Sequence, residues 1–293
     1  GINGGFQYDS NITLVPQALF NDPLIQNNLK TSGYRFVFDS ELNGKYKLFQ
    51  KVSAHWLVQG MMGFHLNNRQ EMKENDYASP SINTGFSFDH KPFEATTSAL
   101  YRSVFTQEIK DLFSEEWGIE FSIGTKKKKY QTRMFYQFID RSFFDQSLPI
   151  SPDDNRDTKA HLFALIPTFQ MKKISPSLFL GYECGAANGQ NYNYRSAQLG
   201  PSISLSYLSP LTVIAHSFFN FKNFYSYDST IAETRKDLTA AIGLQFLWQT
   251  SPIYAIQCGY QYIQNISLGI DNQDYSPFAY TKQMLSFNIH YYL

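Results

Sequence analysis

No stretch of this chain is long and apolar enough to cross a membrane as a helix. Such a span needs roughly 18 consecutive apolar residues, and the apolar runs here are pieces like Leu211-Thr212-Val213-Ile214-Ala215. A helical membrane protein is excluded. The chain also lacks an excess of either charge: 25 Lys and Arg stand against 25 Asp and Glu in 293 residues. Nothing electrostatic therefore draws it to nucleic acid. Cysteine is scarce, with Cys184 and Cys258 alone, in neither a disulfide framework nor a metal spacing. They are expected as unpaired, buried thiols on lipid-facing sites, a disulfide staying open in an oxidising compartment. The start, Gly1-Ile2-Asn3-Gly4-Gly5-Phe6, lacks the basic and apolar regions of a secretory signal. An exported protein would then be represented by its processed or truncated form.

Catalytic signatures are missing as well. There is no Gly-x-Ser-x-Gly, Gly-x-Gly-x-x-Gly or P-loop pattern. The histidines (His55, His65, His90, His161, His216, His290) fall on separate segments, without the spacing of a metal site. No catalytic residue, cofactor or metal site is expected.

Aromatic residues are plentiful, at 17%, and charged residues reach 17% where soluble domains carry about a quarter. They are arranged with period two. In the last fourteen residues Leu285, Phe287, Ile289, Tyr291 and Leu293 alternate with Met284, Ser286, Asn288, His290 and Tyr292, the mark of a strand with one apolar and one polar face. The same pattern recurs at 2–14, 34–48, 52–66, 80–90, 93–106, 116–124, 129–144, 159–171, 176–187, 195–208, 211–225, 236–249 and 253–266. The segment 159–171 alternates poorly, and its facing is open. Pro201 sits inside the cleanest strand, where a proline removes a ladder donor.

These segments make about fourteen strands, an even number, joined alternately by short turns and long polar loops. The expectation is an all-β fold: a transmembrane antiparallel up-and-down β-barrel with short periplasmic turns and long extracellular loops. Strands of a dozen or more residues are too long for propeller blades. Aromatics gather near strand ends, as at Tyr34, Tyr46, Tyr101, Phe105 and Tyr291, and the faces opposite the apolar rows carry no second apolar core.

The charges expected to face the lumen are Arg35, Asp39, Glu41, Lys45, Glu94, Arg102, Glu120, Arg133, Arg141, Glu183 and Asp237. In a channel they would set selectivity. Their mixed sign equally suits compensating ladders that stiffen the wall. The run Lys126-Lys127-Lys128-Lys129 is expected as a solvated turn. Roughly fourteen strands allow a water-accessible lumen, lying between filled eight-stranded barrels and open 16–18-stranded porins.

The opening Gly5-Phe6-Gln7-Tyr8-Asp9-Ser10-Asn11-Ile12-Thr13-Leu14-Val15-Pro16 resembles the Tyr-Asp-Ser-Asn-x-x-x-x-Pro entry strand of Gram-negative outer-membrane barrels that follow a tetratricopeptide-repeat domain, notably the surface lipoprotein assembly modifier family. The terminal Leu293 departs from the Phe that ends the common assembly signal. The resemblance implies one barrel domain over 1–293, with an upstream periplasmic domain outside this chain. It implies translocation, export or surface delivery of a protein or polymer with periplasmic partners. A passive or substrate-selective channel for small solutes is the alternative, and a structural or adhesive barrel acting through loops such as 16–32 and 145–158 is the third reading. In each case the protein meets outer-membrane lipid and the assembly machinery, for which Leu285, Phe287, Ile289, Tyr291 and Leu293 are the candidate signal.

Overall fold

A strand that is apolar on one face must either pair at both edges or expose ladder groups, and this chain solves the problem by closure. The computed structural model describes residues 2–9, 33–65, 77–106, 111–127, 129–144, 156–189, 192–208, 210–228, 233–268 and 280–291. They form fourteen strands: β1 (Ile2–Asp9), β2 (Gly33–Phe49), β3 (Val52–His65), β4 (Tyr77–His90), β5 (Phe93–Thr106), β6 (Asp111–Lys127), β7 (Tyr130–Phe143), β8 (Thr158–Phe169), β9 (Ile174–Ala187), β10 (Tyr194–Leu208), β11 (Leu211–Asp228), β12 (Glu233–Gln249), β13 (Tyr254–Leu268) and β14 (Tyr280–Tyr291). Each strand pairs antiparallel with its sequence neighbours, and β1 closes on β14 with Ile2 opposite Tyr291 and Phe6 opposite Phe287. Among the described strands no edge is left.

The register carries one parity around the barrel, because partners across a ladder share a face. Leu42 faces Val58, Val58 faces Ile82, and Ile82 faces Tyr101. Tyr101 then faces Trp117, and Ile119 faces Phe138. These side chains point outward. Met134 and Ile242 are each 59% exposed, and Phe163 and Leu285 52%. A belt of this extent around a closed wall is far larger than the apolar patches water tolerates. It suits hydrocarbon.

Bulges explain where the sequence pattern stops short of the observed strands. Between Val104/Ser114 and Phe105/Leu112 the β5–β6 register slips by one residue, which flips side-chain parity. Period-two reading therefore starts at 116, although β6 begins at Asp111. At its other end β6 takes in Lys126 and Lys127, so half of the lysine run expected as a turn is strand. A shift between Asn223 and Tyr227 likewise hides the last residues of β11, which continues to Asp228. The segments expected at 10–14 and at 292–293 lie outside the described residues.

Proline leaves its own trace. Pairing is interrupted opposite Pro80 in β4–β5, at Pro167 in β8–β9 and at Pro201 in β10–β11, each where a ring nitrogen has no proton to donate. The ladders resume in the same register on either side, so the barrel tolerates them within central strands.

Two expectations need correcting. The inner face is not uniformly polar: Phe135, Ile139, Leu162, Ala164 and Ile166 share it on β7 and β8, and Phe179 meets Phe218 there with ring centroids 6.3 Å apart. This is why 159–171 alternates poorly, since β8 is apolar on both faces. The thiols are free but not buried; Cys258 is exposed and Cys184 half-buried, both on the outer face. Closure makes that face the lipid side, so apolar preference and solvent burial part company.

Candidate functional site

Of the eleven charged positions singled out from the pattern, those from Asp39 to Asp237 stand in the register on the parity opposite the exposed apolar rows, and the side chain of Arg35 lies outside the described residues. They do not form one cluster. On β2, Lys45 stands opposite His55 in the register, Asp39 accepts from Gln59 Nε2 at 3.3 Å, and Glu41 accepts from Asn43 Nδ2 at 2.8 Å. Glu94 stands opposite Asp89 and Gly124. Glu120 meets Arg133 at 3.6 Å, and Arg133 donates to Ser122 Oγ at 3.0 Å. Asp39–Gln59 and Glu120–Arg133 are cross-strand pairs along the wall, and Glu41–Asn43 lies within one strand.

Toward the long-loop end the remaining charges converge. Arg102 donates to both carboxylate oxygens of Glu116 at 3.0 Å, and Arg141 donates to the same carboxylate through Nε at 2.8 Å. Glu116 is 4% exposed. One carboxylate on β6 thus ties β5 to β7. Asp237 accepts from Arg235 Nε at 2.9 Å and from Ser267 Oγ at 3.0 Å. Glu183 accepts from Gln198 Nε2 at 2.7 Å and from the Tyr194 hydroxyl.

Between these groups is a cavity of about 280 Å³, lined by Arg141, Arg156, Lys222, Arg235 and Glu183 together with Phe143, Tyr192, Tyr194 and Phe224. Lys222 Nζ lies 3.9 Å from the Tyr194 ring centroid, and the Arg235 guanidinium carbon 4.5 Å from that of Phe224. The aromatic faces hold the cations in place without neutralising them. Four cations and one carboxylate line the space. Arg141 is paired with Glu116, which Arg102 shares, and Arg235 with Asp237. Asp157 accepts from the backbone N–H of Phe143 at 2.8 Å, so five cations meet four carboxylates and the region keeps a small positive excess.

Glu116, Arg156, Lys222 and Arg235 were not among the residues that alternation singled out. Glu116 has the same parity as Glu120 and was legible in principle. Arg235 lies just before the segment read as strand, Arg156 within a segment read as loop, and Lys222 beside the β11 irregularity. Their meeting depends on barrel curvature, which no local pattern records.

A glycine shapes the cavity wall. Gly185 on β9 faces Tyr194 on β10, and a Cβ at Gly185 would stand only 2.7 Å from the Tyr194 ring carbon Cζ. The ring lies flat over the glycine, an aromatic rescue across the ladder. Gly185→Val is expected to lift Tyr194 off the wall, away from Lys222, and to lower barrel stability by about 1–3 kcal/mol, the range for overpacking, read by urea titration of barrels folded into lipid vesicles. An unchanged stability would show that the ring does not rest on the glycine.

Among the described residues no group of three or more His, Cys, Asp or Glu gathers as a metal site. A closed up-and-down barrel, apolar outside and charged within, with short connections at one end and long ones at the other, is a transmembrane β-barrel of the bacterial outer-membrane type. Solved structures that it resembles include the NanC porin (TM-score 0.46, 8% identity, 100% of each chain covered) and OccAB4 of Acinetobacter baumannii (0.49, 8%, 99% of this chain and 97% of that one). A third is the outer membrane protein OpdK of Pseudomonas aeruginosa (0.47, 8%, 98% and 96%). No family model matches the chain, and no curated protein does.

Proposed function

We propose that this barrel is an outer-membrane channel for small solutes with a preference for anions, and that the cavity at the loop end is the station where the solute is held. The observation that carries this reading is the cavity itself, about 280 Å³ of inner-wall space with four cations converging on it. Lys222 Nζ, held on the Tyr194 ring, carries N–H donors that can turn to an incoming oxyanion, while Arg141 and Arg235 keep their carboxylates Glu116 and Asp237. The inner charges from β2 round to β12 line the path, and their alternating sign limits the barrier to either ion below the cavity.

Translocation of a protein or polymer has no comparable support. Much of the entry motif, Ser10 to Pro16, lies outside the described residues, and no described feature is fitted to a polypeptide. In the same reading the outer row of β14, Leu285, Phe287, Ile289 and Tyr291, meets lipid and is the segment handled by the insertion machinery; Leu293 lies outside the described residues.

The test is reversal potential under a potassium chloride gradient in planar bilayers. Wild type is expected to favour chloride, and Lys222→Glu to shift the reversal potential toward cation selectivity. Identical potentials for the two proteins would overturn the anion station, and absence of conductance in wild type would overturn the channel.

A further inference from the structure

The lipid-facing wall carries a feature that the channel does not use. Charged side chains on that face are costly in hydrocarbon, yet Arg195 and Lys236 are both exposed on it at the long-loop end. They belong to one cross-strand row, Arg195 opposite Asn223 and Asn223 opposite Lys236, so two strand spacings, roughly 10 Å, separate their backbones. A neighbouring outward lysine, Lys159, is matched by Asp140 at 3.8 Å. Among the described residues no carboxylate is so placed for Arg195 or Lys236. The Arg195 guanidinium carbon lies over the Tyr225 ring, 4.8 Å from its centroid, a cation–π contact that leaves its N–H donors available to an anion.

A groove begins one pleat below. Arg195 pairs with Cys184, and the next outward pairs toward the short-turn end are Ala197 with Tyr182 and Leu199 with Leu180. Tyr182 and Leu180 form one side of an apolar groove of about 530 Å³, whose other side includes Phe163, Tyr136 and Met134. Its floor is the strand backbone itself, where inward-facing Ala164 and Gly181 stand opposite each other on β8 and β9. The arginine stands one row higher and one strand to the side of the groove, and the lysine two strands beyond it; an apolar slot flanked in this way matches an amphiphile that has an acyl chain and a broad anionic head.

We infer that this face binds the phosphorylated headgroup of an outer-leaflet glycolipid, Arg195 and Lys236 taking the phosphate and the groove taking one acyl chain. The long-loop end sets the leaflet. Arginine's fork favours phosphate over a point anion. The site is on the opposite side of the wall from the solute cavity, and its success or failure is independent of the channel reading.

The experiment is native mass spectrometry of the detergent-purified barrel with bis-phosphorylated lipid A, and with the same lipid after removal of both phosphates. Wild type is expected to retain the phosphorylated form at least about tenfold more tightly, the size of one lost charge-assisted contact. Arg195→Ser with Lys236→Ser should lose that preference, and Arg195→Lys with Lys236→Arg should keep most of it. Heat-modifiable migration on gels checks that each variant is folded. Lys222→Glu should bind lipid as wild type does. Equal retention of the two lipids by wild type, unchanged preference in the serine double variant, or full displacement by inorganic phosphate alone would each overturn the inference.

Discussion

Glu116→Gln should lower the stability of the barrel by about 3 kcal/mol, toward the smaller end of the range for breaking a buried ion pair. The carboxylate is 4% exposed and holds Arg102 and Arg141 together. Glutamine keeps the volume but removes the charge, so two guanidiniums of like sign are left facing one neutral amide. Both arginines retain water, with side-chain exposures of 42% and 39%, which holds the penalty below that of a dry site. The neighbouring Glu115 has outward parity and accepts from the Tyr101 hydroxyl at 2.8 Å. Its glutamine variant should change stability by less than about 1 kcal/mol, as exposed partners do. Urea titration of barrels folded into lipid vesicles would measure both. If the two variants melt alike, Glu116 is not the tie between β5 and β7. Adding Arg102→Met to Glu116→Gln should recover part of the loss, since one uncompensated charge goes with it, and a double-mutant cycle isolates that coupling.

The second large effect concerns the seam. Phe287→Arg should block formation of the folded, heat-resistant barrel, whereas Asn288→Arg, one residue on, should assemble. Phe287 is 43% exposed on the outer face of β14, opposite Phe6 on β1 and Cys258 on β13. An arginine on the lipid face near the bilayer midplane costs about 2–4 kcal/mol, and here it falls on the strand whose pairing closes the sheet. Asn288 has the other parity, opposite Gly5 and Gln257, where a long cation can reach water. Assembly is read by the mobility shift between unheated and boiled samples. Normal folding of Phe287→Arg, or failure of Asn288→Arg alone, would reverse the facing of the seam.

The legible part of this protein is the part that depends on period two. Strands such as 93–106 could be read to the residue, because a half-buried strand must alternate. The charges from Asp39 to Asp237 fall at the register positions between the apolar rows for the same reason. Reading failed where parity is broken or duplicated. The β5–β6 bulge hid the first residues of β6, before Glu116. β8 was ambiguous because Leu162 and Ile166 are apolar on the inner wall while Phe163 and Leu165 are apolar on the outer. Burial of the cysteines was misjudged, because in a barrel the apolar face is the one turned outward.

By itself, then, the sequence determined the strand count, the facing of most strands and the absence of a local catalytic or metal motif, since each rests on near-neighbour spacing. Tertiary structure decided which charges meet. Arg102, Glu116 and Arg141 are brought together by ladders between β5, β6 and β7, and the cavity around Lys222 draws on β7 to β12. Those encounters follow from closure and curvature of the wall, which set distances between residues far apart along the chain and leave no mark on any one segment.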